Sequence, residues 1–187
     1  MSWLRGLCVM AVMSLMMACG NTENEYTVGK CYFIFENNIH QDAILAGAMN
    51  ANAPGIFCMV TKRMRNGAVY YDFTNSSGQT SSQIQNSYDA RRTIILGYND
   101  GIIVGFSNLE GTFFAFDREC PNCFDPQAIP MKSYPLTMTT NGLAVCKSCQ
   151  RQYDLNNNGF IAVGDNGKRM TRYRASTTGP FGVLVVN

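Results

Sequence analysis

Two cysteine pairs constrain this chain more than any other feature. Residues 117–123 read DRECPNC and residues 146–153 read CKSCQRQY, so Cys120 with Cys123, and Cys146 with Cys149, form two C-x2-C steps flanking residues 124–145. A tight C-x2-C turn brings both sulfurs to one side. Backbone N–H groups of the turn then point at the sulfurs and offset their charge. Two such turns complete a tetrahedron of thiolates around an ion. Pro121 presets one backbone angle of the first turn. The chain has a single histidine, His40, in the stretch NNIHQDA far from either pair. It reads as a loop or surface residue rather than a ligand, and a site needing two histidines cannot be built within one chain.

Zinc is the expected occupant. It takes four thiolates tetrahedrally, and a closed site of this kind is structural. Binding supplies on the order of 10–16 kcal/mol of folding free energy, against roughly 2–4 kcal/mol for a disulfide. Mononuclear iron fits the same geometry, and an all-cysteine [2Fe–2S] cluster fits the same ligand type; either would make the protein an electron carrier. Disulfides within or across the pairs are the non-metal alternative. A catalytic dithiol is the last, but such pairs usually open a helix, and FFAFD before Cys120 reads as a strand.

The N-terminus bears on the redox compartment. MSWLRGLCVMAVMSLMMACGN has a positive start at Arg5, an apolar run from Leu7 to Ala18, and Cys19 directly after it. The run is short for a membrane span and of the right size for a signal-peptide core. Residues 1–18 are expected to be a bacterial lipoprotein signal, with Cys19 lipidated and residues 19–29 a polar tether; the alternative is an ordinary secretory signal with an incidental cysteine. The protein is then extracytoplasmic, its membrane partner reached through the lipid. There is no twin-arginine motif, so the chain would cross unfolded and take up metal afterwards, which weighs against iron. Of eight cysteines, Cys31 and Cys58 remain to be placed. They sit in the strand-like runs KCYFIF and GIFCMV. Outside the cytoplasm they are expected either to form a disulfide or to stay as two separate buried thiols.

Residues 30–187 read as one domain. KCYFIFENN is strand-like; IHQDAILAGAMNANAPG can hold one short helix, stopped before Pro54. IFCMVTKRMRNGAVYYDFTNS reads as two strands joined at Asn66-Gly67, a strong hairpin signal. SGQTSSQIQNSY reads as a polar loop. Three strand-like runs lead to Cys120, a hairpin through Asn141-Gly142 leads to Cys146, and the chain closes on an apolar strand. Many short strands with turn chemistry between them mean an all-β sandwich or barrel.

EGTFFAFDRECPNC, then LAVCKSCQRQYDLNNNGFI, then KRMTRYRASTTGPFGVLVVN resembles the Rieske iron–sulfur domain family over Thr93 to Asn187. The resemblance implies a β-sandwich base with two metal loops at about 117–125 and 144–154, forming a small rubredoxin- or zinc-ribbon-like subdomain. Residues 31–92 fit it loosely and would be an extra hairpin layer. The ligands depart from the family. Cys120 and Cys146 match its cysteines, but Asn122 and Cys149 stand at its histidine positions. Gln150 replaces a glycine and Arg151 a serine that often bonds a cluster sulfide, while Tyr153 and Asp154 keep an aromatic-acidic pair. A true two-cysteine, two-histidine cluster is excluded on inventory.

Two weaker signals remain. DLNNNGFIAVGD matches calcium-loop spacing at Asp154, Asn156, Asn158, Gly159 and Asp165, but without flanking helices, and it serves equally as a polar β-turn. KRMTRYR, from Lys168 to Arg174, reads as the solvated face of a strand. A formal net charge of +2 gives no basis for a nucleic-acid partner. No acid–base pair, nucleophile elbow or phosphate loop supports hydrolysis or group transfer. A protein partner is not specified.

Overall fold

The computed structural model describes residues 25–187; the expected signal segment, Cys8 and Cys19 lie outside the described residues. The described residues fold into fourteen strands in three antiparallel sheets. β1 (Cys31–Glu36), β5 (Ile95–Leu96), β13 (Ala175–Thr177) and β14 (Val183–Val186) form the first, in the order β13-β14-β1-β5. The six-stranded second sheet runs β12-β7-β6-β2-β3-β4: β2 (Phe57–Arg65), β3 (Ala68–Asn75), β4 (Thr80–Ile84), β6 (Gly101–Phe106), β7 (Phe113–Asp117) and β12 (Arg172–Tyr173). The third is β11-β10-β9-β8, built from β8 (Leu136–Met138), β9 (Leu143–Cys146), β10 (Gln152–Asp154) and β11 (Phe160–Val163).

The six-stranded sheet is the middle layer. Along β2, Cys58 and Val60 enter one core while Phe57 and Met59 pack against the other. β6 does the same with Ile102 and Val104 against Ile103, and β7 with Ala115 against Phe114 and Phe116. Side chains alternate faces along a strand, so a strand covered on both sides must be apolar at consecutive positions. That is why GIIVGF and FFAF carry unbroken apolar runs. The first core is closed by Phe33 and Phe35 of β1 and Leu184 and Val186 of β14; the second by Leu136, Ala144, Cys146 and Tyr153 of the third sheet.

Turn chemistry places the hairpins. Asn66 and Gly67 have φ of 49° and 79°, both left-handed as a two-residue hairpin of this type requires, and β2 and β3 pair from Arg65 with Ala68 to Cys58 with Asn75. The alanine-rich segment gives two short helices, α1 (Asn37–His40) and α2 (Ala43–Ala48). Asp42 caps α2, its carboxylate accepting from the N–H groups of Ile44 and Leu45 at 3.0 Å each.

Four expectations are revised. The polar stretch SGQTSSQIQNSY contains strand β4, which pairs with β3 at the sheet edge; there a strand needs few apolar side chains. Residues 31–92 are not an added layer, since β1 pairs with the C-terminal β14 and β2 lies between β6 and β3. Described residues of the expected tether dock on the body: Thr27 N–H donates to the Arg172 carbonyl at 2.8 Å, and Glu25 pairs with the Arg172 guanidinium. Finally, the basic run is not all solvated. The Arg172 side chain is buried, lies 4.3 Å over the Phe114 ring, and donates to the Asn158 side chain at 2.7 Å.

Candidate metal centre

The first cysteine loop begins where β7 ends. Asp117 organises that end: its carboxylate accepts from Tyr98 N–H at 2.8 Å, Glu119 N–H at 2.6 Å and the Tyr173 hydroxyl at 2.6 Å. Burial raises its pKa despite those donors. Glu119 turns the other way and accepts from the Ser133 hydroxyl and the Tyr134 N–H, both at 2.5 Å. Cys120 N–H donates to the Tyr134 carbonyl at 3.0 Å. The loop is thus tied to the chain entering β8 before the cysteines turn. Cys123 and Phe124 N–H groups then both donate to the Cys120 carbonyl, at 3.2 and 2.9 Å, closing the turn.

The second loop joins β9 to β10. Gln150 N–H donates to the Cys146 carbonyl, and Cys146 N–H to the Arg151 carbonyl, each at 3.0 Å. Gln150 has φ of 60°, the left-handed conformation that glycine takes easily, which turns the chain back toward Arg151.

The two loops bring the four sulfurs together. All four Sγ atoms lie within 4.8 Å of one another. Cys120 and Cys149 sulfurs are 3.7 Å apart and Cys123 and Cys146 sulfurs 3.8 Å, each contact crossing between loops. A tetrahedral ion with metal–sulfur bonds of about 2.3 Å sets its ligand sulfurs about 3.8 Å apart. A disulfide needs about 2.05 Å, and none of the six described cysteines is in one. The four-cysteine group fits a metal ion by donor type, number and spacing. It is the one such group of histidine, cysteine and carboxylate ligands among the described residues.

The site is dry on one side and open on the other. Cys120 and Cys146 are buried in the second core; Cys123 and Cys149 are half-buried. Tyr153, fully buried, places its hydroxyl 3.2 Å from Cys120 Sγ. Asn122 donates its amide N–H to that tyrosine oxygen at 2.9 Å, which leaves the hydroxyl proton for the sulfur. Asn122 also bonds both backbone groups of Lys168, at 2.7 and 2.9 Å. It thus ties the first cysteine loop both to β10 and to the segment at Lys168.

The thiols differ in acidity. Burial pushes Cys120 and Cys123 up. At Cys149 burial also opposes ionisation, but the Arg151 N–H, its guanidinium and the neighbouring thiols together bring the pKa down to about 6. Arg151 is anchored by a 2.9 Å bond to the Asp165 carbonyl.

The other expected sites are not assembled. Cys31 and Cys58 lie on β1 and β2, strands of different sheets, and each is a free buried thiol, so the disulfide between them is corrected to the two-thiol alternative. Burial raises Cys31 to about 12 and Cys58 further, which makes both unreactive. The calcium stretch runs from the end of β10 through the turn and across β11 to Asp165, so its oxygens do not converge on one point, and three of them are engaged elsewhere. Asp154 accepts from Asn156 and Asn157 N–H, Asn156 from Asn108 N–H, Asn158 from Arg172, and the Asp165 carboxylate is exposed. His40 is no surface residue: its side chain is buried, stacked 4.4 Å from Phe35 and bonded to Asp89 at 2.9 Å. Glu119 was not marked in the sequence at all, and Asn122 and Arg151 stood out there only as replacements, without the supporting roles the fold gives them. For Glu119 the one available signal was its closeness to Cys120.

No protein-family model matches this chain, and no curated protein matches it either, so the functional reading rests on the site.

Proposed function

We propose that the protein is an extracytoplasmic, lipid-anchored module in which Cys120, Cys123, Cys146 and Cys149 hold one structural zinc ion. The observation that carries this is the cross-loop sulfur spacing of 3.7 and 3.8 Å, the edge length of a tetrahedral thiolate site. Convergence of all four sulfurs on one point favours a single ion. A [2Fe–2S] cluster would spread its cysteines over two irons and set the outer sulfurs farther apart. The kinship with Rieske-like domains belongs to the same proposal. It is supported by two loops leaving β7 and β9 side by side, by a tyrosine hydroxyl on one ligand sulfur, and by a β base beneath. The anchor at Cys19 is supported by the sequence signal alone. In this role the ion fastens the third sheet to the middle one and the folded body serves binding, not chemistry.

Mononuclear iron is the second reading. The half-buried Cys123 and Cys149 favour it, because they bring ligand sulfur to the surface where an electron could pass. Metal content and the visible spectrum of the purified protein separate the readings. One zinc per chain and no visible absorption is expected. Red or brown colour that bleaches on reduction moves the assignment to iron, and a metal-free protein whose four thiols are reducible disulfides sinks both.

A further inference from the structure

The third sheet covers only part of the face of the middle sheet that it packs on. Past Met59, which still touches that core, β2 continues on the same face with Thr61, Arg63 and Arg65. Thr61 is registered with Gly101 of β6 on one side and Asp72 of β3 on the other, and Asp72 with Ser82 of β4. Arg118, just beyond β7, completes this row, its N–H donating to the Gly101 carbonyl at 3.1 Å. Gly101 is what lets the Arg118 side chain cross the strand: a Cβ there would sit 2.6 Å from Arg118 Nε. The result is a groove of about 480 Å³ lined by Arg63, Arg65 and Arg118, with Asp72 the one carboxylate in its wall.

Asp72 does not satisfy all three cations. It accepts from Arg65 and, at 2.8 Å, from the Ser82 hydroxyl, while Arg63 Nε stands off at 3.7 Å. Arg118 fares worse. Its Nε is buried and has no acceptor among the described residues, and Nη2 reaches only the Asn99 carbonyl at 3.4 Å. The nearby Asp100 is taken by Lys62 at 2.8 Å, and Glu119 faces away toward Ser133. A buried guanidinium N–H left without an acceptor is costly, and planar guanidinium forks match the two oxygens of a carboxylate, phosphate or sulfate.

We propose that this groove binds a small ligand through an oxyanion group, which Arg118 and Arg63 grip over Thr61. The hydroxyls of the groove and the apolar Met59 at its inner end suit a small polar body attached to that group. Arg118 stands two residues before Cys120, so a bound oxyanion and the metal would share the segment from Asp117 to Cys120.

The test is calorimetric titration of the metal-loaded full chain with phosphate, sulfate and succinate at constant ionic strength. Saturable one-to-one binding of at least one anion is expected. Phosphate or sulfate alone would assign a phosphorylated or sulfated ligand, and succinate alone a carboxylate. Arg118→Gln and Arg63→Gln should each weaken binding about tenfold or more, the effect of losing one charge-assisted bond. Arg91→Gln, on the exposed 3₁₀ turn at Asp89–Arg91, should leave it unchanged. Arg63 is well exposed, so its variant stays informative if the Arg118 variant fails to fold. Absence of saturable binding for all three anions at millimolar concentration overturns the proposal, as does wild-type affinity in Arg63→Gln.

Discussion

Tyr153 shows how much a single side chain contributes to the cysteine site. Its ring fills the second core and its hydroxyl faces Cys120 Sγ at 3.2 Å, oriented by the Asn122 amide. Tyr153→Phe keeps the ring and removes the hydroxyl, leaving a buried thiolate short of a donor and Asn122 short of an acceptor. A hydrogen bond to a charged group is worth about 1.5–3 kcal/mol, so competition with a chromogenic chelator should show metal affinity at least about tenfold weaker. Unchanged affinity would deny the hydroxyl any role. Acidity differences among the thiols set a pH dependence at the same scale. Cys149 titrates at about 6 and is a thiolate at neutral pH, whereas burial keeps Cys120 and Cys123 protonated there. An incoming ion must displace at least those two protons. Affinity should therefore rise with pH above 7, by at least about a hundredfold per unit, and fall on acidification. A pH-independent affinity would mean that the apo thiols are already ionised.

Among the elements, the β2–β3 hairpin bears most on the middle layer. β2 contacts both cores and pairs on both edges, with β6 and β3. Its turn needs left-handed backbone at Asn66 and Gly67, and Gly67 has open space where a Cβ would go, so conformation is the one objection to a side chain. Gly67→Ala should lower stability by about 1–2 kcal/mol, the cost of the left-handed conformation for an L-residue, visible as a lower midpoint in urea with unchanged slope. A neutral result would mean that the turn re-forms with another geometry. This hairpin was legible in the sequence because Asn-Gly between apolar-rich runs leaves few alternatives. β4 was not: its face is polar and solvated, and only the free edge of β3 makes it a strand.

For the whole molecule, the two cores differ in what holds them. The first is closed by aromatic and aliphatic side chains of the first sheet; the second contains the buried Cys120 and Cys146. Removing the metal should therefore loosen the third sheet ahead of the rest. After chelation, amide exchange should accelerate in β8–β11 while β1, β2 and β14 stay protected. Under the same conditions Cys120, Cys123, Cys146 and Cys149 should alkylate, and Cys31 and Cys58 should resist until the chain is denatured. Simultaneous loss of protection everywhere would show a single cooperative unit instead.

The sequence by itself determined the all-β class, the principal hairpin and the four cysteines of the site. Strand alternation, Asn-Gly turns and C-x2-C spacing are local patterns, each set by the conformations of a few adjacent residues. Tertiary structure alone decided that the middle sheet is covered on both faces and that Cys31 and Cys58 stay apart. It also decided that Arg172 and His40 are buried, and that Asn122, Glu119 and Arg151 support the cysteine loops. These are contacts between residues distant along the chain, which depend on how strands are ordered across sheets. The groove beside Arg118 belongs to the same class: Gly101, Thr61 and Asp72 meet there only through the pairing of β6, β2 and β3.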